Sequence, residues 1–238
     1  KIGLLCGISP DCIIEGRDTK LVDEIPIRFE RQGFASQVVR RLGLPDNPPT
    51  SSRWAEMVRV LRRPEGEVHI AVVGKYVKGT DAYLSVAEAL KHGGIANRVA
   101  IKIHWVESGL LENSNPEMTN NRENGLNQVF QGIDGILVPG GFGTRGSEGI
   151  INAVNFAREN NIPYLGICFG FQLAAVSFAR NVCNIPNANS TEIENETKDP
   201  IIDLLPDQDG VSDLGGSLRL GANAINIQEN SIAHKIYS

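Results

Sequence analysis

The sequence is short of the residues that staple a chain, cross a membrane or grip nucleic acid. Four cysteines (Cys6, Cys12, Cys168 and Cys183) in 238 residues are too sparse for a disulfide scaffold, and their spacing fits no common zinc pattern. Reduced thiols and no metal site are expected. No apolar run approaches the roughly 20 residues of a membrane-spanning helix, and the opening KIGLLCGISP lacks a signal peptide's longer apolar stretch and small-residue cleavage site. The default reading is a cytoplasmic protein with no membrane partner. Lys and Arg total 23 against 28 Asp and Glu, for a net charge of -5, so nothing general draws this chain to phosphates, and no nucleic-acid partner is expected.

What is present describes a folded, water-soluble protein. Hydrophobic residues at 41% and charged residues at 21% argue against wholesale disorder, a collagen-like repeat or a coiled coil. Residues 1–44 are mixed: an apolar stretch, a Ser9-Pro10-Asp11 turn, a polar stretch and the helix-like VDEIPIRFERQG at 22–33, with Pro26 inside it. That segment is too short to bury a core of its own. LPDNPPTSS, at 44–52, has the composition of an extended linker. A boundary is placed there, with 45–66 as linker and helix and 67–238 as the main domain. WAEMVRVL (54–61) has helical spacing, with Ser51 or Ser52 as its cap.

From there the rhythm is regular. Strands are predicted at Val68–Val73, Val99–Val106, Gly135–Val138 and Pro163–Ile167. Helices are predicted at Asp81–His92, with Gly93-Gly94 as its C-cap, and at Glu123–Gln131, Ser147–Asn160 and Phe169–Arg180. Repeated strand-helix units imply an α/β fold, a parallel sheet with helices on both faces. After Asn187 the pattern breaks, and loops with small hairpins are expected.

The sharpest chemical signal is Gly166-Ile167-Cys168-Phe169-Gly170, at a predicted strand-to-helix junction. It has the form of a nucleophile elbow with cysteine as nucleophile. So tight a turn strains its central residue, and flanking glycines remove Cβ atoms that would clash. At a helix N-terminus the unpaired N–H groups favour negative charge, so Cys168 is expected to be more reactive than a free cysteine. A second turn, Pro139-Gly140-Gly141-Phe142-Gly143, follows the preceding strand. Both turns lie at carboxyl ends of strands, where such sheets bind ligands. With the Phe169 N–H, the backbone of this turn can form an oxyanion hole. Gly74-Lys75 lacks the preceding glycine of a phosphate loop and is set aside. A thiolate nucleophile needs a base, normally histidine, yet His69, His92, His104 and His234 all read as structural or surface residues.

PGGFG followed by PYLGICFGFQLA resembles a class I, triad-type glutamine amidotransferase domain. AVVGKY (71–76), DAYLSVAEALKHGG (81–94), ARENNIPYLGIC (157–168), NANSTE (187–192) and SDLGGSLRLGA (212–222) narrow the resemblance to the CTP synthase family. The resemblance implies that Cys168 attacks the glutamine side-chain amide, that Gly140 and Phe169 hold the oxyanion, and that Gly141, Phe169, Gly170, Phe171, Gln172 and Glu192 bind glutamine. Arg145 and Glu148 fall on the lid that follows the oxyanion turn. Residues 1–33 resemble the end of the amidoligase domain that precedes the glutaminase domain, so 1–44 is expected to be its tail, with Arg17, Asp18 and Thr19 in place of an ATP-binding Lys/Arg-Asp-Val segment. The family elbow reads Cys-Leu-Gly-Met-Gln, whereas here it is Cys168-Phe169-Gly170-Phe171-Gln172.

By that resemblance the partners are L-glutamine and an amidoligase domain of the same chain working on UTP and ATP, in a homo-tetramer. Mg and ATP belong to the full-length enzyme, with GTP as activator, and no cofactor is expected in this stretch. The start at Lys1 rather than Met suggests a fragment without the P-loop half. The family's His-Pro-Glu segment and Arg-rich glutamine-binding stretch are expected beyond Ser238, leaving this stretch catalytically weak. Two rival readings remain: a stand-alone γ-glutamyl cysteine hydrolase, and a regulatory or assembly module without turnover.

Overall fold

The computed structural model describes residues 1–47, 50–77, 79, 81–112, 122–203, 222 and 224–237. The segment 212–221, which contributes to the family resemblance, lies outside them. The elements run α1 Ile2–Cys6, α2 Ile25–Glu30, α3 Phe34–Arg41, α4 Ser52–Arg62, β1 Gly66–Gly74, α5 Leu84–Ala96, β2 Val99–Glu107, α6 Arg122–Val129, β3 Gly135–Val138, α7 Ser147–Glu159, β4 Tyr164–Gly166, α8 Phe169–Asn181, β5 Ala188–Ser190, β6 Asp199–Ile202 and α9 Ile232–Tyr237. The main sheet has the order β2-β1-β3-β4. The α/β class expected from the strand-helix rhythm is the one that forms. The chain clusters into two compact units, one comprising 1–71, 79–104 and 132–135, the other 72–78, 105–131 and 136–238.

In the first unit the N-terminal segment buries almost nothing. Among its described residues up to 47, only Gly3 and Glu24 are buried. Polar contacts hold it instead. Glu24 bonds Arg28 at 3.0 Å and also Arg62 of α4, Trp54 Nε1 donates to the Asp23 carbonyl at 2.8 Å, and Lys91 of α5 pairs with Asp23 at 3.1 Å. The Arg62 and Arg28 guanidinium groups hold the Glu24 carboxyl at about 2, well below the ordinary carboxylate range. Of the helix anticipated over 22–33, a 3-10 turn at Val22–Glu24 leads directly into α2, which ends at Glu30 and has Pro26 in its first turn, where its missing N–H is harmless. Gly33, at φ 78°, then turns the chain into α3, which the sequence reading did not anticipate. Ser51 occupies the N-cap of α4, yet its side chain makes no capping bond.

Helix α5 corrects a second expectation. Gly93-Gly94 does not end it; the helix runs on to Ala96, and Asn97 Nδ2 donates back to the Gly93 carbonyl at 2.8 Å. The reason is packing. A Cβ on Gly94 would lie 2.7 Å from Ile101 Cγ1 and 2.8 Å from the Val99 carbonyl oxygen, so this glycine lets a helix lie close on a strand rather than terminating it.

The second unit is built around Ile136–Val138 of β3, a strand whose four residues are all buried. It pairs in parallel with β4, Ile136 facing Tyr164, Leu137 facing Leu165 and Val138 facing Gly166. Helices α7 and α8 pack on each other, with Ile150, Ile151 and Ala153 of α7 and Leu173 and Val176 of α8 forming the core. Gly149 lets α7 pass the Ser108 carbonyl: an added Cβ would stand 1.8 Å from that oxygen. Where a hairpin was expected after Asn187, residues 188–202 form a parallel pair, β5 beside β6, Ala188 facing Asp199; the same expectation for 204–221 lies outside the described residues. Parallel neighbours cannot be joined by a two-residue turn. Residues 191–198 carry the chain back before β6 begins.

Candidate active site

Cys168 is the N-cap of α8, with φ 53° and ψ -110°. A residue with a Cβ is held at positive φ only when its surroundings dictate it, and here they do. Ile167 N donates to the Val138 carbonyl at 2.9 Å, Gly170 N to Ile167 at 3.0 Å, and Phe171 N and Gln172 N to the Cys168 carbonyl at 3.0 and 3.1 Å. The glycines act as the motif suggested. A Cβ on Gly166 would meet the Gly170 and Phe171 backbone at 2.5 Å, and one on Gly170 would meet the Val138 carbonyl oxygen at 2.3 Å. The thiol residue itself is exposed. As the first residue of α8, Phe169 has an N–H without an intrahelical acceptor, while its ring is 1% exposed. Phe171 points outward at 65% exposure, and Gln172 is half-buried.

The glycine turn lies against this elbow. A Cβ built on Gly140 would come within 3.5 Å of Cys168 Cβ, so the two turns predicted to share one crevice do meet. Polar contacts fix the turn's far side. Lys75, buried at 5% exposure, donates through Nζ to the Phe142 carbonyl at 3.0 Å and also to that of Gly143. The same ammonium stands 4.0 Å from the centre of the Phe169 ring, a cation–π contact. Burial lowers the Lys75 ammonium to about 8, against the opposing pull of the Glu192 carboxylate. Glu192 Oε1 accepts a hydrogen bond from Gly143 N at 2.8 Å, which places this residue at the turn. The sequence dismissed Lys75 along with the phosphate-loop reading. A lysine directly after an apolar strand was the available signal.

Arg145 and Glu148, expected together on a lid, have separate anchors. Arg145 pairs with Glu107 at 3.1 Å, donates to the Lys75 carbonyl, and lies 5.7 Å from the centre of the Tyr76 ring. Glu148 receives both its bonds from Arg180 Nη1, at 2.9 and 3.0 Å. Tyr164, unnoticed in the sequence, donates from its hydroxyl to the Gly170 carbonyl at 2.8 Å, and burial pushes its phenol upward.

The histidines are disposed as structural or surface residues. His69 Nδ1 and His104 Nε2 lie 2.8 Å apart within the first unit, and Glu67 flanks His69 at 3.0 Å. In the second unit the one histidine is His234, whose backbone N–H bonds Ser231 Oγ at 3.0 Å. Among the described residues, no group of three or more His, Cys, Asp or Glu side chains is placed to hold a metal. In the first unit Arg17, Asp18 and Thr19 line a cavity of about 250 Å³ together with Arg28 and Phe29. There Arg17 pairs with Glu15 at 2.8 Å, and Thr19 Oγ1 accepts from Arg28 at 3.2 Å.

Residues 79–225 match the family described as glutamine amidotransferase class-I. The chain belongs to the class-I glutamine amidotransferases. Along its whole length this amidotransferase chain is 46% identical to the CTP synthase of Thermococcus gammatolerans, spanning 42% of that relative. The CTP synthase of Methanocaldococcus jannaschii is 45% identical over the whole chain, which spans 43% of it. The chain thus spans less than half the length of these curated relatives. Among solved structures, the glutaminase domain of Trypanosoma brucei CTPS with bound acivicin is similar over 59% of this chain and 51% of that one, at 39% identity and a TM-score of 0.52. Among the described residues of this amidotransferase no helix is long and apolar enough to cross a membrane.

Proposed function

We propose that this chain is the glutaminase part of a CTP synthase. The observation that carries the reading is an exposed cysteine held at positive φ on a helix N-terminus, with a glycine turn packed beside its Cβ. Whole-chain identity to CTP synthases of 44–46% supports it, as does the likeness to a glutaminase domain that holds acivicin. In this reading the Cys168 sulfur, having given up its proton to a base, attacks the side-chain amide carbon of L-glutamine. The carbonyl oxygen takes the negative charge and is met by the N–H groups of Gly140 and Phe169. Collapse of the tetrahedral adduct breaks the C–N bond and releases ammonia as the nitrogen gains a proton. Water then cleaves the thioester to glutamate. Gly141, Gly170, Phe171 and Gln172 line the glutamine pocket. Glu192 meets the amino end of the substrate by sharing its carboxylate with Gly143.

The ammonia serves ATP-dependent amination of UTP to CTP by an amidoligase domain, of which residues 1–44 are the tail, with 45–66 as linker and helix and 67–238 as the amidotransferase domain. There Arg28 and Phe29, beside Arg17, Asp18 and Thr19, offer a guanidinium and a ring face suited to one wall of an ATP site. Arg145 and Glu148 form the lid through which GTP activates, and the whole enzyme is a cytoplasmic homo-tetramer.

The test uses the full-length protein. Cys168→Ala is expected to abolish glutamine-dependent conversion of UTP to CTP and leave the ammonia-dependent conversion intact; loss of both removes the assigned role. Acivicin should modify Cys168 in the wild type. An unmodified Cys168 in a folded protein would favour an assembly module without turnover.

A further inference from the structure

We infer that Lys75 is a positioning residue for the oxyanion turn: its ammonium holds the Phe142 and Gly143 carbonyls and so anchors the far end of the turn, with the Gly143 N–H directed to Glu192 and Gly140 kept against Cys168. The inference rests on the glutaminase reading. A tight Gly-rich turn has little side-chain packing to fix it. Gly143 has open space around the position of an added Cβ, and at Gly140 and Gly141 the nearest atoms sit at ordinary contact distances of 3.5 and 3.8 Å. Something else must decide which way its peptide units face. Carbonyls at 142 and 143 bonded to one buried cation are that constraint, since flipping either peptide would turn its carbonyl away from the ammonium and leave a buried charge short of an acceptor.

A second observation points the same way. The ammonium sits over the Phe169 ring, 4.0 Å from its centre, and Phe169 carries the other proposed oxyanion donor on its backbone. One side chain therefore contacts both the turn that carries Gly140 and the ring of the residue that carries the other donor. No oxygen of a side chain bonds the Lys75 ammonium among the described residues; its hydrogen-bond partners are the two turn carbonyls. The ionisable groups that act on it are Glu192 after β5, Arg145 before α7 and Glu112 after the 3-10 turn at Ser108–Leu111. Glu192 completes the arrangement from the turn's other edge by accepting from Gly143 N at 2.8 Å.

The test measures covalent labelling of Cys168 in the full-length protein by two reagents. Acivicin, a glutamine mimic, needs the assembled site. Iodoacetamide needs only an accessible thiolate. Lys75→Met should lower the acivicin rate at least about tenfold, given what a single oxyanion donor can contribute, while the iodoacetamide rate stays within about twofold of wild type. Lys75→Arg, which keeps the charge and the donors, should recover part of the loss. Should Lys75→Met fail to fold, the wild type alone decides. As pH rises through about 8, Lys75 loses its proton and its hold on the carbonyls weakens, so the acivicin-to-iodoacetamide ratio should fall. That fall should exceed the one given by the amine of acivicin itself, measured on a second glutaminase with no lysine at this place. Equal acivicin rates in Lys75→Met and wild type, or a ratio no steeper than the control, overturns the inference. No labelling of wild-type Cys168 by acivicin overturns the glutaminase reading instead.

Discussion

The two turns that meet at Cys168 are held by opposite means. The elbow is fixed by steric exclusion: at Gly166 and Gly170 an added Cβ would stand 2.5 and 2.3 Å from main-chain atoms, so the backbone there has nowhere to move. The glycine turn has space around it, and its orientation comes from polar bonds to Lys75 and Glu192. A nucleophile must stay in one place through attack and release, and packing provides that. Groups that stabilise a transient charge have to match a geometry that exists only during reaction. Bonded donors and acceptors set that geometry finely, and they also make it sensitive to charge.

Substitutions can break that comparison. Gly170→Ala should have the largest effect. Its Cβ would press on the Val138 carbonyl oxygen, and overpacking of this kind costs about 1–3 kcal/mol or more; a fall in thermal midpoint with loss of acivicin labelling is expected. A stable, fully labelled variant would mean the elbow is not fixed by packing. Glu192→Gln comes next. It keeps the acceptor for Gly143 N but removes the charge, weakening that bond by about 1 kcal/mol. The carboxylate also holds the Lys75 ammonium up, so its removal should shift the fall in the labelling ratio to lower pH. An unmoved midpoint would separate the two residues. Tyr164→Phe should matter least. Losing one bond to the Gly170 carbonyl costs about 0.5–1.5 kcal/mol, visible in denaturant midpoint, with acivicin labelling unchanged. A marked drop in labelling would show that the elbow too depends on polar support.

The elbow was legible in the sequence because its cause is local. Two glycines flanking Cys168 at a strand-to-helix junction have few other uses, and the regular strand-helix rhythm gave the α/β class. What the sequence hid depends on distant partners. Gly93-Gly94 looks the same whether it caps α5 or lets it rest on Ile101, and only the packing at Gly94 decides. Lys75 follows a buried strand in either reading, and what distinguishes a phosphate loop from a turn support is 67 residues away, at Phe142. Helix α3 was missed because it is only eight residues long, shorter than the window over which helical periodicity can be told from other patterns. The direction of β6 was equally hidden, since strands of four residues carry no mark of which way they pair.

That direction reaches back to Glu192. Thr191, its immediate neighbour, is clasped twice from the far strand, its N–H by the Ile202 carbonyl at 3.0 Å and its hydroxyl by Asp203 at 2.8 Å. Where the Glu192 carboxylate can reach is thus set by Ile202 and Asp203, further down the chain, in a stretch with no motif to advertise it. Exchanges there would be transmitted along a single peptide to the edge of the glycine turn, altering how tightly it is tethered without touching any group that meets the reacting amide.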